Sequence, residues 1–234
     1  MGAFHNPARL SIALVSGGMD SCLAAAIACR NGPCAFLHVT YGQRTARREH
    51  KAFLDLAAFF EVPENLRLVV NLESLSMIGG SALTDPSISV PKFHEVPADE
   101  GGEKPATYVP FRNAHIIATA VSWAEVIGAG SITIGAVAED SAGYPDCRPD
   151  FYTAFNRLIA VGSYAGESLR VETPVIAMTK SEIVKMGLEL NAPFHLTWSC
   201  YEREDAAGGQ CDSCLRRLRA FRQAGIKDPI PYVS

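Results

Sequence analysis

Apolar positions along this chain fall into two alternating rhythms. Short runs dense in aliphatic and β-branched residues lie at 10–15, 35–40, 66–72, 131–137 and 170–175 and predict five strands. Between them, residues 21–30, 44–60, 113–127, 151–164 and 181–190 carry apolar side chains at helical spacing, with Gly128 and Gly130 as stops for the third helix. Strands alternating with helices specify a parallel sheet covered on both faces, an α/β architecture. One stretch breaks the rhythm. Residues 79–110 are rich in Ser, Pro, Gly and acidic side chains and are too long for a packing connection, so a lid or binding loop is expected there.

A chain of 234 residues, 48% hydrophobic and 20% charged, can bury a proper core. It reads as a main domain over 1–192 and a small C-terminal segment over 193–234. No apolar run reaches the roughly 18 residues that span a bilayer, and the start lacks a basic, then apolar, then small-residue signal pattern. Gly2 is followed by Asn6 where a myristoylation pattern wants Ser or Thr. A cytoplasmic protein is expected, with no membrane partner. The net charge of −4 does not supply a broad basic surface for nucleic acid, which favours small-molecule substrates. Seven cysteines argue against a disulfide framework. Cys22, Cys29, Cys34 and Cys147 are scattered and read as small buried hydrophobes, while Cys200, Cys211 and Cys214 are spaced as metal ligands.

The first strand ends in Ser16-Gly17-Gly18-Met19-Asp20-Ser21 and runs straight into an Ala-rich helix. Successive backbone N–H groups and a helix N-terminus then converge on one point, an anion site. The glycines let the backbone approach an oxyanion, and Ser16 and Ser21 add hydroxyls. Asp20 either orients the loop or helps hold Mg²⁺ between protein and nucleotide. An ordinary capped turn is the plainer alternative. The lysine-bearing G-x-x-x-x-G-K-[ST] loop is absent, so γ-phosphate transfer is not indicated.

This string resembles the SGGxDS signature of the PP-loop superfamily, whose members split ATP between its α and β phosphates and transfer AMP to an oxygen. Nearly the whole chain further resembles the 7-cyano-7-deazaguanine synthase (QueC) family. The resemblance rests on Tyr41-Gly42-Gln43-Arg44 with Glu49, Val109-Pro110-Phe111-Arg112-Asn113, Glu139-Asp140 with Gly143-Tyr144-Pro145-Asp146-Cys147-Arg148, Thr179-Lys180-Ser181-Glu182, and Thr197-Trp198-Ser199-Cys200-Tyr201 with Cys211-Asp212-Ser213-Cys214. It implies a Rossmann-like adenine nucleotide α-hydrolase fold with a parallel five-stranded sheet and a C-terminal zinc-binding helical segment, in a homodimer. The implied reaction joins 7-carboxy-7-deazaguanine to ammonia, first as the amide and then as the nitrile, with one ATP at each stage.

On that resemblance Lys180, Asp20 and Arg112 are catalytic, and Ser16 to Ser21 with Gln43 and Arg44 bind the nucleotide. Arg112, Asn113, Asp140, Tyr144, Asp146 and Arg148 bind substrate, and Cys200, Cys211 and Cys214 bind Zn²⁺. Lys180 at a helix start suits a phosphate as a point charge, or is simply a solvated helix-end lysine. Arg112 and Asn113 open a helix and suit phosphate or a purine-like edge, or else cap and coat it.

Three positions depart from the family pattern. Gly208 stands where a fourth cysteine is usual, leaving His195, Glu204, Asp205 or water as the last ligand, or the metal lost. Phe111 replaces a usual Gly and Val137 a usual Asn, either of which reshapes a pocket if it lines one. A ligase for another heterocyclic acid, or one stopping at the amide, is the alternative reading. A PP-loop tRNA sulfurtransferase and a metal-binding regulatory protein are more distant ones.

Overall fold

Ile12 and Leu14 belong to one buried cluster of the protein and Ala13 and Val15 to another. A strand buried on both sides has to be central in its sheet. The computed structural model, which describes residues 9–94, 104–140 and 143–233, has five parallel strands: β1 (Ser11–Leu14), β2 (Cys34–Thr40), β3 (Arg67–Asn71), β4 (Ser131–Ile134) and β5 (Arg170–Glu172). Their order is β3-β2-β1-β4-β5, with Ser11 in register with both Cys34 and Ser131.

Seven α-helices accompany them among the described residues: α1 (Met19–Asn31), α2 (Ala46–Phe59), α3 (Ser74–Ile78), α4 (Arg112–Ile127), α5 (Pro149–Gly162), α6 (Lys180–Glu189) and α7 (Asp212–Gln223). Leu23, Phe53, Ile183 and Phe221 bring α1, α2, α6 and α7 onto the face that carries Ala13, Val15 and Phe36. Ile117, Ala120, Phe155 and Ile159 bring α4 and α5 onto the face of Ile12, Leu14 and Ile132. The C-terminal segment thus shares the main core through Phe194, Ala220 and Phe221.

The α/β reading and the five strands hold, and the differences lie at element ends. β4 stops at Ile134 rather than 137 because residues 135–137 turn into the wall of a cavity. β5 stops at Glu172, two residues before Pro174, which has no N–H to give a ladder. α2 begins at Ala46, since the Arg44 N–H is engaged by the Leu83 carbonyl instead of a helix. α3 has five residues, too few to display a period. Gly128 terminates α4 at φ 70°, ψ 31°, the left-handed cap that glycine favours. Residues 1–8, with Gly2 and Asn6, and residues 95–103 of the expected lid lie outside the described residues. Among the described residues no helix is long and apolar enough to cross a membrane.

Candidate active site

In a sheet ordered 3-2-1-4-5 the connections leave β1 and β4 in opposite directions, which opens a crevice at their C-terminal ends. The loop after β1 sits there. Gly17 has φ 92°, and a Cβ on it would lie 3.0 Å from the Glu49 carbonyl oxygen and 3.1 Å from the Ala52 Cβ, so both backbone and space require glycine. The loop is held by its own hydroxyls: the Gly18 N–H donates to Ser16 Oγ (3.3 Å), Ser16 Oγ donates to Ser21 Oγ (3.1 Å), and Ser21 Oγ donates to the Gly18 carbonyl (2.9 Å). Met19 opens α1 with its side chain buried in the core. Gly135, just past β4, packs so closely on this turn that a Cβ would meet the Asp20 carbonyl and the Ser21 nitrogen at 2.6 Å.

Opposite the loop, Lys180 is the first residue of α6, whose N-terminus is fixed by a capping box between Thr179 and Glu182. The Lys180 ammonium, nearly buried, donates to Asp20 Oδ2 (2.6 Å) and Asp140 Oδ2 (2.9 Å). Burial alone would lower its pKa, but the two carboxylates outweigh it and raise it, so the lysine is charged throughout the physiological range. Glu139 ties the same corner together, accepting from the Lys180 N–H (3.1 Å) and from Arg219 Nη2 on α7 (2.8 Å). Asp20 Oδ1 is buried and has no hydrogen-bond partner among the described residues. A carboxylate oxygen left this way beside an anion loop fits a bound cation.

These groups line a cavity of about 750 Å³. Its second wall is the Tyr41–Glu49 turn. Gln43 accepts from the Tyr41 N–H (2.8 Å) and donates to Glu49 Oε2 (2.9 Å), while Thr45 donates to Glu49 Oε1 (2.7 Å). Burial pushes the Glu49 carboxyl up despite both bonds. Arg112 Nη1 donates to the Tyr41 hydroxyl (3.0 Å), with its guanidinium 5.6 Å from the ring centre. The third wall is the expected lid. Arg44 lines the cavity, yet its guanidinium grips the lid by donating to the carbonyls of Ala82 (2.7 Å), Asp85 (3.0 Å) and Ile88 (2.7 Å). Tyr144 meets Thr107 Oγ1 at 2.7 Å, and Gly143 leaves room for Pro105.

Other residues singled out by the sequence do not gather here. Asp146 is buried and accepts from the Asn113 N–H at the start of α4 (3.1 Å), a carboxylate at a helix N-terminus. The Asn113 amide donates back to the Asp146 carbonyl (3.1 Å), so although Asn113 borders the cavity, this pair braces the wall from behind. Arg148 is exposed, precedes α5 and is not among the lining residues. Phe111 does not line the cavity either. It caps α4 in the left-handed region (φ 56°), 57% exposed, with its ring 6.3 Å from that of Phe151. That conformation explains why glycine suits the position, and it removes Phe111 from any account of substrate choice. Val137 does line the cavity.

Cys200, Cys211 and Cys214 are buried with their sulfurs within 4.8 Å of one another. His195 is exposed, Glu204 receives the Arg48 N–H (3.3 Å), and Asp205 pairs with Arg203 (3.0 Å); none joins the cluster. Two residues that sequence reasoning left without a role hold this segment, Trp198 to the loop and Arg217 to other parts of the segment itself. The Trp198 N–H donates to the Gly17 carbonyl (2.8 Å). Arg217, fully buried, forms a two-pronged pair with Asp228 (2.7 and 2.9 Å) and also donates to Thr197 Oγ1 (2.7 Å). An arginine on the apolar stripe of α7, between Cys214 and Phe221, is a readable sign of a buried partner.

Residues 10–225 match the family model described as "Queuosine biosynthesis protein QueC". The chain is 55% identical to a protein of Koribacter versatilis, 54% to one of Acidobacterium capsulatum and 52% to one of Chlorobaculum tepidum. In each case the match covers 95% of this chain, and it covers 92%, 96% and 96% of the three relatives, all named 7-cyano-7-deazaguanine synthase. Solved structures resemble it only remotely: an NH3-dependent NAD synthetase from Campylobacter jejuni is 14% identical over 82% of this chain and 68% of its own, with a TM-score of 0.45. With the Ser16–Ser21 loop, the Lys180 cluster and the three cysteines all on the stretch that the family model spans, the chain belongs to the QueC family.

Proposed function

We propose that this protein is an ATP-dependent carbon–nitrogen ligase that converts 7-carboxy-7-deazaguanine and ammonia to 7-cyano-7-deazaguanine through an acyl-adenylate and then an adenylated amide. The observation that carries this reading is the Lys180 ammonium, held in the crevice wall by Asp20 of the Ser16–Ser21 loop and by Asp140. The likeness of the chain to three synthases of that name supports the choice of acid.

In the first stage a carboxylate oxygen attacks the α phosphorus of ATP and pyrophosphate leaves. Ammonia then attacks the acyl carbon, loses a proton, and AMP departs with the oxygen. In the second stage the amide oxygen attacks a second ATP, and loss of AMP together with the remaining N–H protons leaves C≡N. Both stages need charge stabilised on a departing phosphate, which the loop amides and Lys180 are positioned to supply. Arg112 and Tyr41 border the substrate end of the cavity, and Asp140 offers an acceptor for a guanidine-like edge. Asp20, with its unpartnered Oδ1, would hold Mg²⁺, which would supply further positive charge for the departing pyrophosphate. Cys200, Cys211 and Cys214 would hold Zn²⁺ as a structural cross-link. A homodimer through α4 and α5 is supported by the exposed Val126, Leu158, Val161 and Tyr164.

The test is incubation of the purified protein with 7-carboxy-7-deazaguanine, ATP, Mg²⁺ and ammonium, with products identified by mass spectrometry. Nitrile with AMP and pyrophosphate is the expected result. Val137 in the cavity wall, where the family commonly carries Asn, favours a second reading in which the reaction ends at the amide or begins from another acid. Accumulation of amide alone selects that reading, and turnover only with other heterocyclic acids removes the first.

A further inference from the structure

The three sulfurs of Cys200, Cys211 and Cys214 are enclosed by Trp198, Ala207 and Ile230 on their apolar side. Gly208 is different: it is only half-buried, and its N–H donates to Cys200 Sγ at 3.4 Å. A Cβ built on Gly208 would lie 3.9 Å from Cys200 Sγ and 3.6 Å from the Arg203 Cδ, with nothing else within 4 Å. Sulfurs sharing one zinc at about 2.3 Å in a tetrahedral array are about 3.8 Å apart. The missing side chain therefore leaves a gap of side-chain size beside the cluster. Zinc bound by thiolates takes four ligands, and among the described residues only these three offer a donor atom within reach.

We propose that the metal at this cluster keeps one coordination position open at Gly208 and fills it with an exchangeable small ligand, water by default, a reading that rests on the zinc assignment made above. Zinc sites closed by four protein ligands hold the metal as a fixed cross-link, whereas an open position admits outside donors. The half-buried Gly208 is the route by which such a donor arrives, since Trp198, Ala207 and Ile230, which pack in the same cluster as the three sulfurs, are buried. The corner is also repairable within this backbone. Gly208 is not in the left-handed region, and a Cβ there clashes with nothing.

The experiment loads the full chain with Zn²⁺ for X-ray absorption and with Co²⁺ for visible spectroscopy, in the native protein and in Gly208→Cys. Three sulfur ligands plus one oxygen or nitrogen are expected in the native protein, and the Co²⁺ d–d bands should shift on adding imidazole. Gly208→Cys should show four sulfurs, bands indifferent to imidazole, and slower metal loss to a chelator. Four sulfurs in the native protein, or a spectrum that imidazole does not move, overturns the open position while leaving the metal in place. A protein that binds neither ion overturns the zinc assignment and this inference together. Should Gly208→Cys not fold, the native measurements decide alone.

Discussion

The crevice at the ends of β1 and β4 and the cysteine cluster beside Trp198 are two candidate sites built on different terms. In the crevice nearly every polar group already has an internal partner: Lys180 has two carboxylates, Glu49 has Gln43 and Thr45, and the loop hydroxyls bond one another. Among the buried side-chain atoms of the described residues that line it, Asp20 Oδ1 is the exception. The cysteine cluster instead assembles three donors and leaves the fourth to something the fold does not provide. Strand order organises the first site, whose polar side chains are complete in internal partners but for that one oxygen. The second gathers candidate metal donors, and one of its ties to the first is the Trp198–Gly17 hydrogen bond.

The sharpest way to test the contrast is to remove the charge at the centre of the complete site. Lys180→Gln should lower kcat/KM at least about a thousandfold, roughly 4 kcal/mol of transition-state stabilisation, with the far-ultraviolet dichroism and metal content unchanged. A loss of less than tenfold, on the order of 1.4 kcal/mol, would place the lysine outside the chemistry. Next in size is the clamp under the cysteine segment. Arg217→Met leaves Asp228 buried without its cation and should cost about 3 kcal/mol in urea unfolding. An effect of only a few tenths of that would show that the buried pair adds little to the fold.

Acid probes the floor of the loop. His38 is buried, its Nδ1 bonded to the Val15 carbonyl at 2.8 Å and its Nε2 without a partner among the described residues. Burial lowers its pKa from 6.5 to about 4. The unfolded chain therefore takes the proton first, so the contribution of neutral His38 is full above pH 6.5 and is lost as pH falls from 6.5 toward about 4. The loss should approach 2–3 kcal/mol, and the slope in that window should flatten in His38→Leu. The smallest effect tests the link itself. Stripping the metal should raise KM for ATP about fivefold, the worth of one hydrogen bond of roughly 1 kcal/mol, as the Trp198 strand loosens from Gly17. An unchanged KM would mean that the two sites are energetically separate.

Strand count, fold class and the turn from β1 into α1 are legible in the sequence because they follow known patterns: period-two and helical apolar spacing, and a glycine pair at a strand end. Lys180 and Asp140, 40 residues apart, meet at Asp20 only because β4 lies beside β1 and the turns after β4 and before α6 face the same crevice. That meeting is a property of strand order, which no local pattern encodes. Asp146 and Arg148 sit two residues apart in a specific string, yet one turns inward to cap α4 and the other stays in solvent, a difference decided by backbone direction in a short 3-10 turn. Phe111 is the reverse case: its left-handed φ explains the glycine usual at this position, and its exposed ring lies off the cavity wall, whereas the sequence alone suggests a role in substrate choice.

The central claim is that the crevice activates a carboxylate by placing AMP on its oxygen, and an isotope shows this directly. With 7-carboxy-7-deazaguanine carrying ¹⁸O in the carboxylate, the AMP released during amide formation should contain the label and the pyrophosphate none. Unlabelled AMP, or label in inorganic phosphate formed with ADP, would contradict the account.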